Sequence, residues 1–181
     1  YLTMVLEAMK DNRVLEITHR AFTMNEAKTY LVEPYCVKLS GGRWYMLARS
    51  VEKGRLLLYS LDRLKHVRTT EQKFELPIDF VAKDYFADFF GIVIDENVPL
   101  QRIVLRADKY HQYYMRTLPM HHSQRELFSC DDYADFELTL RPTYDFYMRL
   151  MSWGNMIKVL EPQSLQDELR KWLRKTMEVY E

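Results

Sequence analysis

Leu2, Val5, Leu6 and Met9 fall at the i, i+3, i+4 and i+7 positions of one helical face. That spacing predicts a short amphipathic helix, stopped near Asp11-Asn12. Beyond it the period changes to two. Val14 to Arg20 alternates, with Leu15, Ile17 and His19 on one face. Thr29 to Leu39 is rich in β-branched and aromatic residues and reads as a strand, in which Pro34 marks an edge or a bulge. Ser40-Gly41-Gly42 is a hairpin turn, Arg43 to Ser50 the next strand, Glu52-Lys53-Gly54 a second turn and Arg55 to Leu61 a further strand. Leu64 to Val67 adds a short last one. Five short strands joined by tight turns in about 60 residues favour a small β-barrel over an open sheet.

Residues 71–100 lose this pattern. Leu76-Pro77 breaks the chain, Val81 to Phe90 predicts a short aromatic helix, and Gly91 marks a boundary. Over 101–181 the pattern returns as strand (Arg102 to Ala107), helix (capped by Asp108, running to Arg116), strand (Arg125 to Cys130) and strand (Phe136 to Arg141). A helix capped by Thr143 and running to Ser152 follows, then a strand (Met156 to Leu160). That βαββαβ order is the ferredoxin-like signature. Ser164 and Asp167 predict a capping-box start for a C-terminal helix, with Leu165, Leu169, Trp172, Leu173, Thr176 and Tyr180 on one face. The expected class is α+β in three parts: a leading helix and β-barrel over 1–70, a connector over 71–100, and a ferredoxin-like domain with a closing helix over 101–181.

Charge changes this picture more than composition does. The chain has 181 residues and a formal net charge of zero, which taken whole disfavours a nucleic-acid partner found by charge alone. Counted by part, residues 1–70 hold twelve Lys/Arg against seven Asp/Glu, residues 71–100 two against seven, and residues 101–181 twelve against twelve. The excess concentrates in 37–68, where eight bases face only Glu52 and Asp62. Such a local surplus attracts phosphates even in a neutral protein; a solvated strand surface is the plain alternative. Cys36 and Cys130 are isolated and His19, His66, His111, His121 and His122 show no metal-ligand spacing, so free thiols, no metal and no cofactor are expected. No apolar run is long enough to span a membrane and no signal peptide is visible, which points to a cytoplasmic protein. The chain starts without Met and inside a helical pattern, as a fragment of a longer protein would.

Three blocks, Val32-Glu33-Pro34-Tyr35, Gly42-Arg43-Trp44-Tyr45-Met46-Leu47-Ala48 and Ser60-Leu61-Asp62-Arg63-Leu64, resemble the WYL domain of bacterial transcription regulators. The Trp-Tyr-Leu triad reads Trp44-Tyr45-Met46 here, a volume-conserving change. His122-Ser123-Gln124, Ser152-Trp153-Gly154 and Val159-Leu160-Glu161-Pro162 resemble the WCX extension that commonly follows it. The resemblance implies an SH3-like or Sm-like barrel. It also implies an effector-sensing role behind an N-terminal winged helix-turn-helix that binds operator DNA and is absent from this sequence. Single-stranded nucleic acid or a nucleotide-like ligand is the implied partner, with a homodimer as the implied assembly. His19, at the position where the family commonly carries Tyr, followed by Arg20, and Arg63 are the implied pocket positions.

Single-strand and nucleotide sites need cations for phosphate and flat rings for bases. Arg43, Tyr45, Leu47 and Arg49 share one strand face and Trp44, Met46 and Ala48 the other. With the apolar face as core, Tyr45 and Arg49 project to the ligand side; the opposite assignment buries Tyr45. Tyr59 and Ser60 lie on opposite faces of the next strand and complete the candidate set of His19, Arg20, Arg43, Tyr45, Arg49, Tyr59, Ser60 and Arg63. Asp62 can pin Arg63 as a local ion pair, or leave it to a phosphate, for which Arg is well shaped. No catalytic motif appears, so no enzyme is expected; His121-His122-Ser123 reads as a loop. The expected function is regulation of a transcription regulator by a phosphate-bearing ligand. A dimerisation module without ligand and a sensor of a small nucleotide messenger are the alternatives.

Overall fold

A computed structural model describes all of residues 1–181. The chain divides into two compact units, 1–82 and 83–181, and is mixed α+β with two antiparallel sheets.

The first unit begins with helix α1 (Leu2–Lys10) and continues through strands β1 (Arg13–His19), β2 (Lys28–Ser40), β3 (Arg43–Ser50), β4 (Leu56–Ser60) and β5 (Leu64–Lys73). The sheet order is β4-β3-β2-β1-β5. No ladder joins β4 to β5, so the ring of hydrogen bonds that a closed barrel requires is absent. A single 3₁₀ turn, Leu61–Arg63, links these two strands. The alternation of β1 buries Leu15 and Ile17 against Val5 and Ala8 of α1, together with Met46, Ala48 and Val67. Pro34 lies in β2, an interior strand. The register slips between Pro34 and Cys36, so Pro34 faces Ala48, Cys36 faces Leu47, and Tyr35 is the extra residue. The bulge sends Tyr35 to a second small cluster, where it stacks on Phe74 at 6.0 Å and meets Phe80 at 4.9 Å. β5 is ten residues long, well beyond the short strand expected, because it pairs with β1 over most of its length.

Between the sheets the helix expected over 81–90 shrinks to one turn, α2 (Ala82–Tyr85). The second unit then follows the expected order: β6 (Gln101–Asp108), α3 (His111–Thr117), β7 (Arg125–Ser129), β8 (Tyr133–Leu140), α4 (Tyr144–Ser152), β9 (Ile157–Glu161) and α5 (Gln163–Glu178). Its sheet runs β7-β8-β6-β9. Ile103, Leu105, Ala107, Phe136, Leu138 and Leu140 face a core shared with Met115, Phe146, Leu150 and Leu165 of the helices. Between them alternate charged residues, and Arg102–Glu137–Arg125 and Arg106–Asp135 form ion pairs across the strands. Asp108 stands one turn ahead of α3, whose N-cap is Tyr110, and its Oδ1 accepts the N–H groups of Tyr110 and His111 at 3.0 and 2.7 Å. Two further caps differ. Thr143 makes no capping hydrogen bond, and α5 starts at Gln163 after Pro162, which places Ser164 inside the first turn. On α5, Leu165 is buried while Leu173 is exposed, and Tyr180, expected on the same face, lies beyond the helix end and is exposed.

Candidate ligand-binding site

β1 ends where His19 pairs with Leu64, the first residue of β5. That pairing sets the loop after β1 beside the 3₁₀ turn before β5, and the Arg20 N–H donates to the Arg63 carbonyl at 3.2 Å. The two segments enclose a concave pocket of about 260 Å³ lined by Arg20, Ala21, Phe22, Asp62, Arg63 and Lys65. Three of these carry positive charge and one negative.

Ser60 donates its hydroxyl to Asp62, and Arg43 reaches across from β3 to form an ion pair with the same carboxylate. The Ser60 hydrogen bond, with the charges of Arg43 and Arg63, holds the Asp62 carboxyl below the usual carboxylate range. Asp62 therefore does not pin its neighbour. Arg63 forms no ion pair, and its Nε is buried with no hydrogen-bond partner. Its guanidinium carbon stands 4.2 Å from the centre of the Phe22 ring, a cation–π distance.

His19 precedes Arg20 and does not itself line the pocket. It is 7% exposed, its Nε2 is likewise buried and unpartnered, and its ring meets Tyr59 edge-on at 5.5 Å. Burial, and then the charge of Arg63, lowers the His19 pKa, so the ring is neutral at pH 7. Burial pushes the Tyr59 phenol up to about 12, partly offset by the Ser50 hydroxyl.

Of the eight expected residues, His19, Arg20 and Arg63 come together, with Tyr59 behind His19. Arg43 and Ser60 adjoin them through Asp62. Tyr45 pairs with Ser60 across β3 and β4 but is buried and does not line the pocket, and Arg49 stands apart. Arg49 donates to both Glu33 oxygens at 3.2 Å, roughly 20 Å along β3 from Arg43. Met46 and Ala48 face the main core of the unit as expected, but Tyr45 on the other face is also buried at 9% exposure, and Trp44 is 39% exposed. The reason is that β3 lies inside the sheet, with Tyr45, Met46, Leu47 and Ala48 all buried on its two faces. Trp44 sits next to the hairpin turn, where the cover ends. Three pocket residues are not singled out in the sequence, Ala21, Phe22 and Lys65. The signal for Phe22 is one large aromatic in a polar loop, and it is 79% exposed. Lys65 was visible only as part of the basic excess.

Outside the pocket, the Ser123 hydroxyl donates to the Thr139 carbonyl at 3.0 Å and accepts its N–H at 2.9 Å. It also meets His121 Nδ1 at 2.7 Å. This loop is pinned to β8 by those bonds.

Two family models match the chain in order: the WYL domain over residues 1–69 and the WCX domain over residues 99–177. No curated protein matches it. Among solved structures, the proteasome accessory factor B/C (PafBC) of Arthrobacter aurescens is 20% identical over 93% of this chain, with a TM-score of 0.45. A CRISPR Cas-related protein is 12% identical over 97%, with a TM-score of 0.55, a likeness of fold. The chain spans 25% and 51% of the lengths of those two chains. No helix is long and apolar enough to cross a membrane.

Proposed function

Because the chain belongs to the family in which a WYL domain is followed by a WCX domain, we propose that it is the effector-sensing, regulatory module of a transcription regulator. The first unit binds a phosphate-bearing ligand, single-stranded nucleic acid or an oligonucleotide. Binding changes how the regulator, as a homodimer, holds operator DNA through a separate helix-turn-helix. Its role is recognition, without catalysis.

One observation carries this: Arg63, unpaired, has a buried Nε without a partner, in a pocket with Arg20 and Lys65. A phosphate oxygen supplies the acceptor that Nε lacks, and the Arg63–Phe22 stack offers a ring on which a base can lie. At about 260 Å³ the pocket is below the usual range for a whole small-molecule ligand, ~300–1,000 Å³. It suits one phosphate and its sugar, with the rest of a longer strand outside, and so favours an oligonucleotide over a small nucleotide messenger.

The folds support this assignment. The order β4-β3-β2-β1-β5 with a 3₁₀ turn between β4 and β5 fits an SH3-like barrel left open between its edge strands. The order β7-β8-β6-β9 with α3 and α4 as crossovers fits a ferredoxin-like domain. We take 1–70 as the sensing domain, 71–100 as connector and 101–181 as the dimerising domain.

The test is a titration of the purified chain with a fluorescein-labelled short oligothymidylate and with thymidine monophosphate. The oligonucleotide is expected to bind more tightly, with an affinity that falls as salt rises. No binding of either at low salt refutes a phosphate sensor and leaves a module for assembly alone. Tighter binding of the mononucleotide assigns a small messenger instead.

A further inference from the structure

The second unit holds a cavity of about 420 Å³ that the proposed function does not use. Its lining brings together Tyr144, Tyr147 and Trp172 with two carboxylates, Asp95 and Glu168, and it contains no Lys or Arg. Tyr147 lies parallel to Trp172 at 5.6 Å, and Tyr144 tilts against the same indole at 5.5 Å. Two oxygens in the wall lack partners: Gln101 Oε1 and Thr143 Oγ1 are both buried without a hydrogen bond, and Thr143 is only 3% exposed. Thr143 begins α4 but does not cap it.

We propose that this cavity binds a small protonated amine, held between the Tyr144, Tyr147 and Trp172 rings and the Asp95 and Glu168 carboxylates. The charged side chains of the lining are both carboxylates, Asp95 and Glu168, and the three aromatic rings present electron-rich faces. Ring faces attract cations, best of all the face of Trp. The carboxylates add charge, and the lone pairs of Gln101 and Thr143 find in ammonium N–H groups the donors that the protein does not supply. A buried oxygen left unpaired is uncommon, and two in one wall of a ring-lined cavity favour a ligand with N–H groups over a quaternary ammonium. The volume lies within the ordinary range for small ligands, ~300–1,000 Å³.

Glu168 already accepts the Trp172 indole N–H at 3.2 Å and Lys171 Nζ at 3.0 Å. Lys171 is 64% exposed, and such a surface pair is weak enough for a ligand to displace. Asp95 Oδ1 takes the backbone and side-chain N–H groups of Asn97, both at 3.0 Å, which leaves its other oxygen available. These residues all lie within 83–181, so the inference stands independently of the phosphate pocket.

The Trp172 indole N–H touches the site and reports on it. The nitrogen-15 spectrum of the full chain contains three indole signals, from Trp44, Trp153 and Trp172, and Trp172→Phe identifies the third. Butylammonium chloride is expected to move that signal saturably, while butanol at equal concentration does not, and tetramethylammonium binds more weakly. Thr143→Val keeps the shape and removes an oxygen that the fold leaves unpaired, so the protein stays folded and affinity falls about threefold to tenfold. Glu168→Gln keeps an acceptor for the indole, removes the charge, and lowers affinity about tenfold or more. It decides the question if the Thr143 variant fails to fold. Absence of a shift with butylammonium, an equal response to butanol or tetramethylammonium, or unchanged affinity in the folded variants overturns the proposal.

Discussion

Arg63→Ala removes one guanidinium from a pocket with three basic side chains. A hydrogen bond to a charged group contributes about 1.5–3 kcal/mol. At ~1.4 kcal/mol per decade, the loss corresponds to an affinity for a short single strand lower by about tenfold to a hundredfold. The salt dependence changes as well. Each neutralised phosphate of a single strand contributes ~0.7 to the slope of log K against log salt. Three contacts give about −2, and two give about −1.4. Folding is expected to stay within about 1 kcal/mol of the parent, since the variant forfeits only the stack on Phe22 and relieves a buried Nε that has no partner. Fluorescence anisotropy of a labelled oligothymidylate, from about 20 to about 200 mM potassium chloride, measures affinity and slope together. Arg49→Ala is the control, because that side chain is held by Glu33 away from the pocket. A folded Arg63→Ala protein with unchanged affinity and unchanged slope would refute the reasoning, however tightly the parent binds.

The remaining expectations concern stability and are read by thermal or urea melts. Tyr45→Ala should cost about 3–4 kcal/mol, as a buried aromatic does, and Trp44→Ala only about 1; equal losses would contradict the facing of β3. The pKa of His19 is lowered in the fold, so its contribution is complete above about pH 6.5 and is lost as pH falls from there through the lower folded-state value. His19→Gln should flatten that part of the stability profile, and an unaltered slope would show that His19 is not buried neutral. Gly91 has φ +80°, and a Cβ there would stand 2.3 Å from the Asp145 carboxylate that accepts the Ile92 and Val93 N–H groups. Gly91→Ala should therefore cost about 2 kcal/mol or more, lowering the melting temperature of the second unit by roughly 10 °C; an unchanged melt would show that the contact yields freely.

Element type was largely legible from period, because most elements of this chain present an apolar face to a core. The alternation of Phe136, Leu138 and Leu140 against Glu137 and Thr139 is the strand β8, with the polar set facing arginines across the sheet. Pairing was less legible. That β5 runs on to Lys73 follows from its ladder with β1, a contact between segments some fifty residues apart, while its own sequence after Val67 is polar. The caps failed for a related reason. Thr143 and Ser164 have the right residue types, yet Pro162 starts α5 before Ser164 can cap it, and the buried Thr143 hydroxyl makes no capping hydrogen bond.

The site was half legible, and the division follows the reach of local rules. Alternation assigns a residue to one of two faces. It says nothing about strand position in a sheet, so it could not foresee that β3 is covered on both sides and that Tyr45 is buried. The neighbour rule for charges errs in the opposite direction. Read along the chain, Asp62 next to Arg63 is a self-contained ion pair; folded, Asp62 faces Ser60 and Arg43 and leaves Arg63 unmatched. The same carboxylate that would have silenced the site is drawn off by a base from the neighbouring strand. On the proposed reading, Arg43 would bear on a phosphate indirectly, by holding the Asp62 carboxylate in an ion pair of its own. Arg43→Ala should weaken phosphate binding through a carboxylate turned back toward the pocket, and the double change of Arg43 and Asp62 to Ala should restore it. A double variant as weak as Arg43→Ala alone would show that Arg43 touches the ligand itself.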